Sequence, residues 1–172
     1  MNEAIFRREV YQMLRYRYGL WPQHIPDVVG SKRPGVPDLI VMNPKGPGFY
    51  VEVKYIDIEK DSSFAFSKIE DSQRQWLSLW EAERHFGSYL AIGTKNQRQR
   101  DLYFIWWPHW IEVERGIISH QASLPYHAGK GFSVELQELG YDFSVIETEK
   151  CTKDMGWVLP NHIIYDMRLN SE

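Results

Sequence analysis

The chain changes its hydrophobic rhythm several times. Over residues 3–18 the apolar side chains Phe6, Val10, Met13 and Leu14 recur at three- and four-residue spacing, which predicts an amphipathic helix ended by Gly19 and Trp21-Pro22. A short strand is expected at 27–29, followed by the turn GSKRPG at 30–35. The runs at 38–42 (DLIVM) and 49–56 (FYVEVKYI) predict two strands joined by the Gly- and Pro-rich NPKGPG. Residues 57–65 are polar and read as a loop. Helical spacing returns over 66–86, with Ile69, Gln73, Trp76 and Leu77 sharing a face. SYLAIGT (88–94) and DLYFIWW (from 102) predict two further strands, with TKNQRQRD as a solvated hairpin between them.

The predicted order is therefore helix, three strands, helix, two strands: an α/β fold with a mixed central sheet flanked by helices. Beyond residue 110 the pattern weakens. KGFSVEL, YDFSVIETE and HIIYDM suggest short strands, so 111–172 is expected to be a β-rich extension packed on the 1–110 core. IWWPHW (105–110) could offer stacking platforms for bases, but core or dimer-interface packing suits its tryptophans better.

Two charges break the apolar pattern of the 49–56 strand. With a period of two, Phe49, Val51, Val53 and Tyr55 point one way, while Tyr50, Glu52, Lys54 and Ile56 point the other. Glu52 and Lys54 thus lie on one face, about 7 Å apart along the strand. Asp38, at the start of the preceding strand, can come alongside them across the hairpin. Charges placed in a buried strand are costly unless they are paired or used. Two carboxylates and an ammonium at one point on a sheet suit metal-assisted phosphodiester hydrolysis: Mg²⁺ or Mn²⁺ prefers carboxylate oxygens and retains waters that a substrate can displace.

Composition narrows the setting. The chain has 172 residues, a net charge of −3, seven Trp, ten Tyr and a single Cys, which excludes a disulfide framework or a cysteine zinc site. Its N-terminus lacks the apolar segment of a signal peptide and no stretch is apolar enough to span a membrane, so a cytoplasmic protein with no membrane partner is expected. Lys and Arg outnumber acids seven to four over residues 1–50, whereas acids dominate ten to five over 111–172. A basic face on the N-terminal half can meet DNA phosphates. Ser31, Lys32 and Arg33 in the turn before the site are the first candidates for it, with Arg7, Arg15 and Lys68 further ones.

Pro37-Asp38 at a strand entrance, a hairpin, then Glu52-Val53-Lys54 in an apolar strand resembles the PD-(D/E)xK nuclease superfamily over about residues 30–107. SSFAFSKIEDSQ (62–73) further resembles the segment after the catalytic lysine in RecU-type Holliday-junction resolvases. GVPDLIV and the later Gln-x-x-Trp-Leu are similar to VRR-NUC nucleases and archaeal resolvases. The resemblance implies a restriction-endonuclease-like αβββαβ core and a divalent-metal-dependent DNA endonuclease that resolves branched or junction DNA as a homodimer and leaves 5′-phosphate ends. It implies Asp38, Glu52 and the Val53 carbonyl as metal ligands, and Lys54 as the group that positions the attacking water.

Gln73 matches the helix glutamine of the resolvases. As an amide within an apolar stripe it also needs a polar partner, which the site would supply. Resolvases of this kind often carry a glutamate on the first helix facing the metal. Glu9, bordering that helix's inner face, is the position expected to fill this role, ahead of Glu3 at the terminus. Two other readings are a restriction-like or flap-processing nuclease of the same fold, and a non-catalytic DNA-binding module. Retention of the full Asp, Glu and Lys set argues against the last.

Overall fold

The computed structural model describes residues 2–16, 18–25, 35–44, 48–83, 87–96, 99–118, 122–127, 131–132, 143–145 and 164–169. The strand expected at 27–29 lies outside them. The first helix, α1 (Glu3–Tyr16), is capped by Asn2, whose Oδ1 accepts the Ile5 N–H at 3.0 Å. It ends where Gly19 takes a left-handed φ of 64° and the Leu20 N–H returns to the Leu14 carbonyl. Phe6, Val10, Met13 and Leu14 are its buried stripe. Each such side chain contributes about 1.5–3 kcal/mol of burial energy.

Strands β1 (Trp21–His24), β2 (Leu39–Met42), β3 (Phe49–Asp57), β5 (Gly87–Asn96), β6 (Gln99–Trp106), β8 (Phe143–Val145) and β9 (Ile164–Leu169) form one seven-stranded sheet, in the order β1-β2-β3-β5-β6-β9-β8. The sheet is mixed. β3 runs parallel to β5 and antiparallel to β2, and β5 is antiparallel to β6. The helix α2 (Asp71–Glu83) lies between β3 and β5 in the chain, as a parallel pair requires. The expected αβββαβ order is present, with an additional strand, β4 (Ser63–Ala65), where a loop was expected. β4 pairs with β7 (Ser123–Pro125) in a separate two-stranded sheet.

Alternation along β3 divides two cores. Phe49, Val51 and Val53 join Leu39, Val41 and the α1 stripe on one face. Tyr50 and Ile56 join Leu77, Leu90, Ile92 and the tryptophans of α3 (Trp107–Ile118) on the other. α1 approaches so closely that a Cβ on Gly93 of β5 would overlap the Phe6 ring.

The helix α3 departs from the expected weakening after residue 110. β6 ends at Trp106 and the helix begins at the next residue, with Pro108 in its first turn, where no intrahelical N–H is needed. Trp107 and Trp110 are fully buried, so IWWPHW is a core segment. The second helix starts later than its periodicity suggests, because Phe66–Lys68 forms a 3-10 turn. Among the described residues no helix is long and apolar enough to cross a membrane.

Candidate active site

The β2–β3 ladder ends at the pair Leu39↔Val51. Beyond it the Val53 N–H lacks a β2 partner, and the side chain of Asp38 takes that place: Oδ2 accepts the Val53 N–H at 2.9 Å. Asp38 thereby meets the backbone between Glu52 and Lys54. Its own carbonyl accepts the Ile25 N–H at 2.9 Å, which ties it to the end of β1. Both Asp38 and Glu52 are buried.

On the Tyr50–Ile56 face of β3, Lys54 Nζ lies 3.3 Å from Glu52 Oε1. The side chains retain only 12 % and 4 % of their exposure, so this pair is shielded from bulk water and salt. The same Oε1 accepts a 2.8 Å hydrogen bond from Gln73 Nε2. Gln73 is held in that orientation because its Oε1 accepts the Glu70 N–H at the start of α2, at 2.9 Å. The amide therefore presents its donor end to Glu52 and its acceptor end to the backbone. Gly35, with φ 88°, brings the loop before Asp38 onto this first helical turn, where a Cβ would overlap the Ser72 carbonyl. Four pieces of chain thus converge: α1, the entrance to β2, the middle of β3 and the first turn of α2.

From α1, Arg7 Nη1 donates to Asp38 Oδ1 at 2.9 Å. Arg7, expected as a phosphate contact, is here a partner of the buried aspartate. One turn earlier, Glu3 lies in the field of Lys54, Asp38 and Arg7 and accepts a hydrogen bond from the Tyr55 N–H. Partial desolvation holds its carboxyl above the ordinary range. Asp38 adds to that rise, while Lys54, the Tyr55 N–H and Arg7 oppose it.

Glu9 is two residues past Arg7, about 200° around the helix, so it projects from a different side of α1 than the one that reaches Asp38. Glu3 is the α1 glutamate that lies in the field of Asp38 and Lys54. It stands one helical turn before Arg7, near the terminus but inside a helix that Asn2 caps. A second residue not weighed from sequence is His24 of β1. It pairs in register with Leu39, beside Asp38, and stacks on Tyr11 with ring centroids 4.8 Å apart. Desolvation and Arg7 lower its pKa, and Asp38 opposes them.

Of the other expected phosphate contacts, Arg15 lies two turns along α1 from Arg7, its guanidinium 5.8 Å from the Tyr16 ring centroid. Lys68 is exposed at the end of the 3-10 turn. Ser31, Lys32 and Arg33 lie outside the described residues.

The donor set fits a hard divalent cation. Among the described residues no group of three or more His, Cys, Asp or Glu is arranged as an all-protein cage. Mg²⁺ is commonly held by one or two carboxylates together with waters and substrate oxygens, which is the kind of set that Asp38 and Glu52 offer. Each Asp38 oxygen accepts one hydrogen bond and keeps a second lone pair, whereas Glu52 Oε1 already receives both Lys54 and Gln73.

No protein-family model and no curated protein matches the chain. Among solved structures, the fold is similar to that of Hjc, a Holliday junction resolvase from the archaeal hyperthermophile Archaeoglobus fulgidus. The identity is 15 %, 61 % of this chain and 77 % of that one are covered, and the TM-score is 0.46.

Proposed function

We propose that this protein is a divalent-metal-dependent DNA endonuclease of the PD-(D/E)xK type. The observation that carries the reading is the shared use of Glu52: one buried carboxylate oxygen receives both Lys54 and Gln73, while Asp38 is pinned to the amide between Glu52 and Lys54. A strand that needed only stability would gain more from apolar side chains here, since an ion pair in such a place seldom repays its desolvation.

Asp38 and Glu52, with the Val53 carbonyl, would hold the Mg²⁺ or Mn²⁺ ion. Such an ion supplies Lewis-acid polarisation of the scissile phosphate and acidifies a ligated water. Lys54, held by Glu52 on the substrate side of β3, orients the attacking water and stabilises negative charge that builds on the phosphate oxygens. Gln73 keeps Glu52 in its ligating rotamer, because its own amide is fixed by Glu70. Glu3 adds a third carboxylate at the rim, in the place first assigned to Glu9. Arg7, Arg15 and Lys68, with Ser31, Lys32 and Arg33, supply contacts to the phosphate backbone.

Within this chemistry we assign the protein to branched or junction DNA, on the likeness of residues 62–73 to the junction resolvases. Symmetric cutting of a junction requires two sites and hence a homodimer. The test is cleavage of a panel of linear duplex, flap, splayed and four-way DNA with Mg²⁺ or Mn²⁺. Paired cuts in the four-way substrate, lost in Asp38→Ala, are expected. Preference for flaps or linear duplex would move the assignment to a flap-processing or restriction-like nuclease. Failure to cut any substrate would overturn it.

A further inference from the structure

Arg7 of α1 and Asp38 at the entrance to β2 meet at 2.9 Å. Resting on the metal-dependent reading above, we propose that Arg7 and the catalytic cation compete for Asp38, and that DNA relieves the competition by offering the guanidinium a phosphate. Metal and DNA binding are then coupled through this one side chain.

Asp38 has little freedom to avoid the conflict. Its Oδ2 is committed to the Val53 N–H and its Oδ1 to Arg7, both at 2.9 Å. A cation ligated by Asp38 would share that carboxylate with the guanidinium, with Lys54 adding positive charge from β3. Repulsion cannot be relieved by proton loss, because an arginine stays charged at every accessible pH.

Movement is the remaining relief, and exposure shows its direction. The Arg7 side chain keeps 35 % of its exposure against 10 % for Asp38, so the guanidinium stands on the solvent side of the carboxylate. That is the side from which a backbone phosphate arrives, and the planar fork of arginine matches phosphate oxygens as it matches a carboxylate. A phosphate in that place removes the positive charge from Asp38 and brings negative charge next to the ion. Each ligand thus raises the affinity of the other, and linkage makes the two factors equal.

The experiment uses the full chain as wild type, Arg7→Gln and Arg7→Lys. Mn²⁺ is titrated calorimetrically without DNA. The affinity for fluorescein-labelled four-way and linear DNA is measured by anisotropy with and without Ca²⁺, and thermal melting reports folding of each variant. Arg7→Gln is expected to bind Mn²⁺ about fivefold tighter than wild type and to lose a similar factor of the Ca²⁺-dependent gain in DNA affinity. Arg7→Lys, which keeps the charge, stays close to wild type in Mn²⁺ affinity.

Unchanged or weaker Mn²⁺ binding in Arg7→Gln overturns the proposal, as does an undiminished Ca²⁺ effect, which is the result expected if the displaced guanidinium turns to Glu3 rather than to DNA. If wild type binds Mn²⁺ and cleaves while Arg7→Gln binds identically, the coupling fails and the nuclease reading stands. If neither wild type nor Arg7→Gln binds Mn²⁺, both fail.

Discussion

Adjacent residues of α2 enter two different charge clusters. Arg74 donates through Nη1 to Glu114 Oε2 and through Nη2 to the Phe66 carbonyl at 2.8 Å, and the Trp110 indole N–H donates to Glu114 Oε1 at 2.9 Å. This set is closed: one cation, one anion and neutral hydrogen bonds that complete the geometry, joining α2, α3 and the 3-10 turn. Gln73 enters an open set, in which the carboxylates of Glu3, Asp38 and Glu52 gather with the cations of Arg7 and Lys54. The first cluster lies between helices and the second where helices meet the sheet, and both are partly or wholly buried. The difference is in charge balance. A closed pair serves packing, whereas surplus negative charge at the end of a strand ladder is a place where a cation is welcome.

The strongest test of that contrast removes charge from each cluster. Asp38→Asn and Glu52→Gln keep side-chain volume but discard an anionic oxygen donor, so cleavage should fall by about a thousandfold or more while the melting temperature changes little. Glu114→Ala should do the reverse. It strands Arg74 beside α3 and should cost about 2 kcal/mol, or roughly 4–8 °C in melting temperature for a chain of this size, with cleavage per folded molecule retained. Paired cleavage assays and thermal melts on the same preparations would show whether the two clusters separate in this way. A large loss of cleavage in folded Glu114→Ala protein would erase the distinction.

Gln73→Ala probes the border between them. It leaves the Glu52–Lys54 pair in place but frees the carboxylate from its second donor and releases the Glu70 N–H to solvent. Removal of such an orienting partner is expected to lower cleavage about 10- to 100-fold, with a parallel weakening of Mn²⁺ affinity measured by calorimetry. A loss as large as that of Glu52→Gln would mean that Gln73 contacts the reacting groups itself.

Much of this architecture could be read from local pattern, and the parts that escaped have physical causes. Period-two alternation in FYVEVKYI put Glu52 and Lys54 on one face, and the structure divides its two cores along the same alternation. Helical spacing found α1 and α2. β1 carries no strand signal of its own, because Trp21-Pro22 looks like a helix stop. Proline is tolerated there because β1 is an edge strand of the sheet. α3 was hidden because β6 passes into it without a connecting turn, so IWWPHW carries no boundary signal. The meeting of Arg7 and Asp38 joins residues 31 apart across the fold, which no local periodicity encodes. Glu3 was set behind Glu9 on the general fraying of termini, whereas Asn2 caps its helix.

The smallest expected effect tests the surplus charge at Glu3. Its carboxyl titrates above the ordinary value in the folded chain, first because it is desolvated; Lys54 opposes that rise and Asp38 adds to it. The folded state therefore holds this proton more readily than the unfolded state, so ionised Glu3 costs stability at neutral pH. That cost fades as pH falls through the folded pKa and is gone below the ordinary value of 4.5. Glu3→Gln should accordingly melt slightly higher than wild type at pH 7.5, by no more than about 1 °C because the residue is exposed and screened, and the two should coincide near pH 4. Saturating Mn²⁺ should narrow or invert the gap at pH 7.5, since a bound cation turns the surplus carboxylate from a cost into a favourable neighbour. A gap that is equal at both pH values and indifferent to Mn²⁺ would place Glu3 outside the electrostatics of Asp38 and reduce the open cluster to a balanced one.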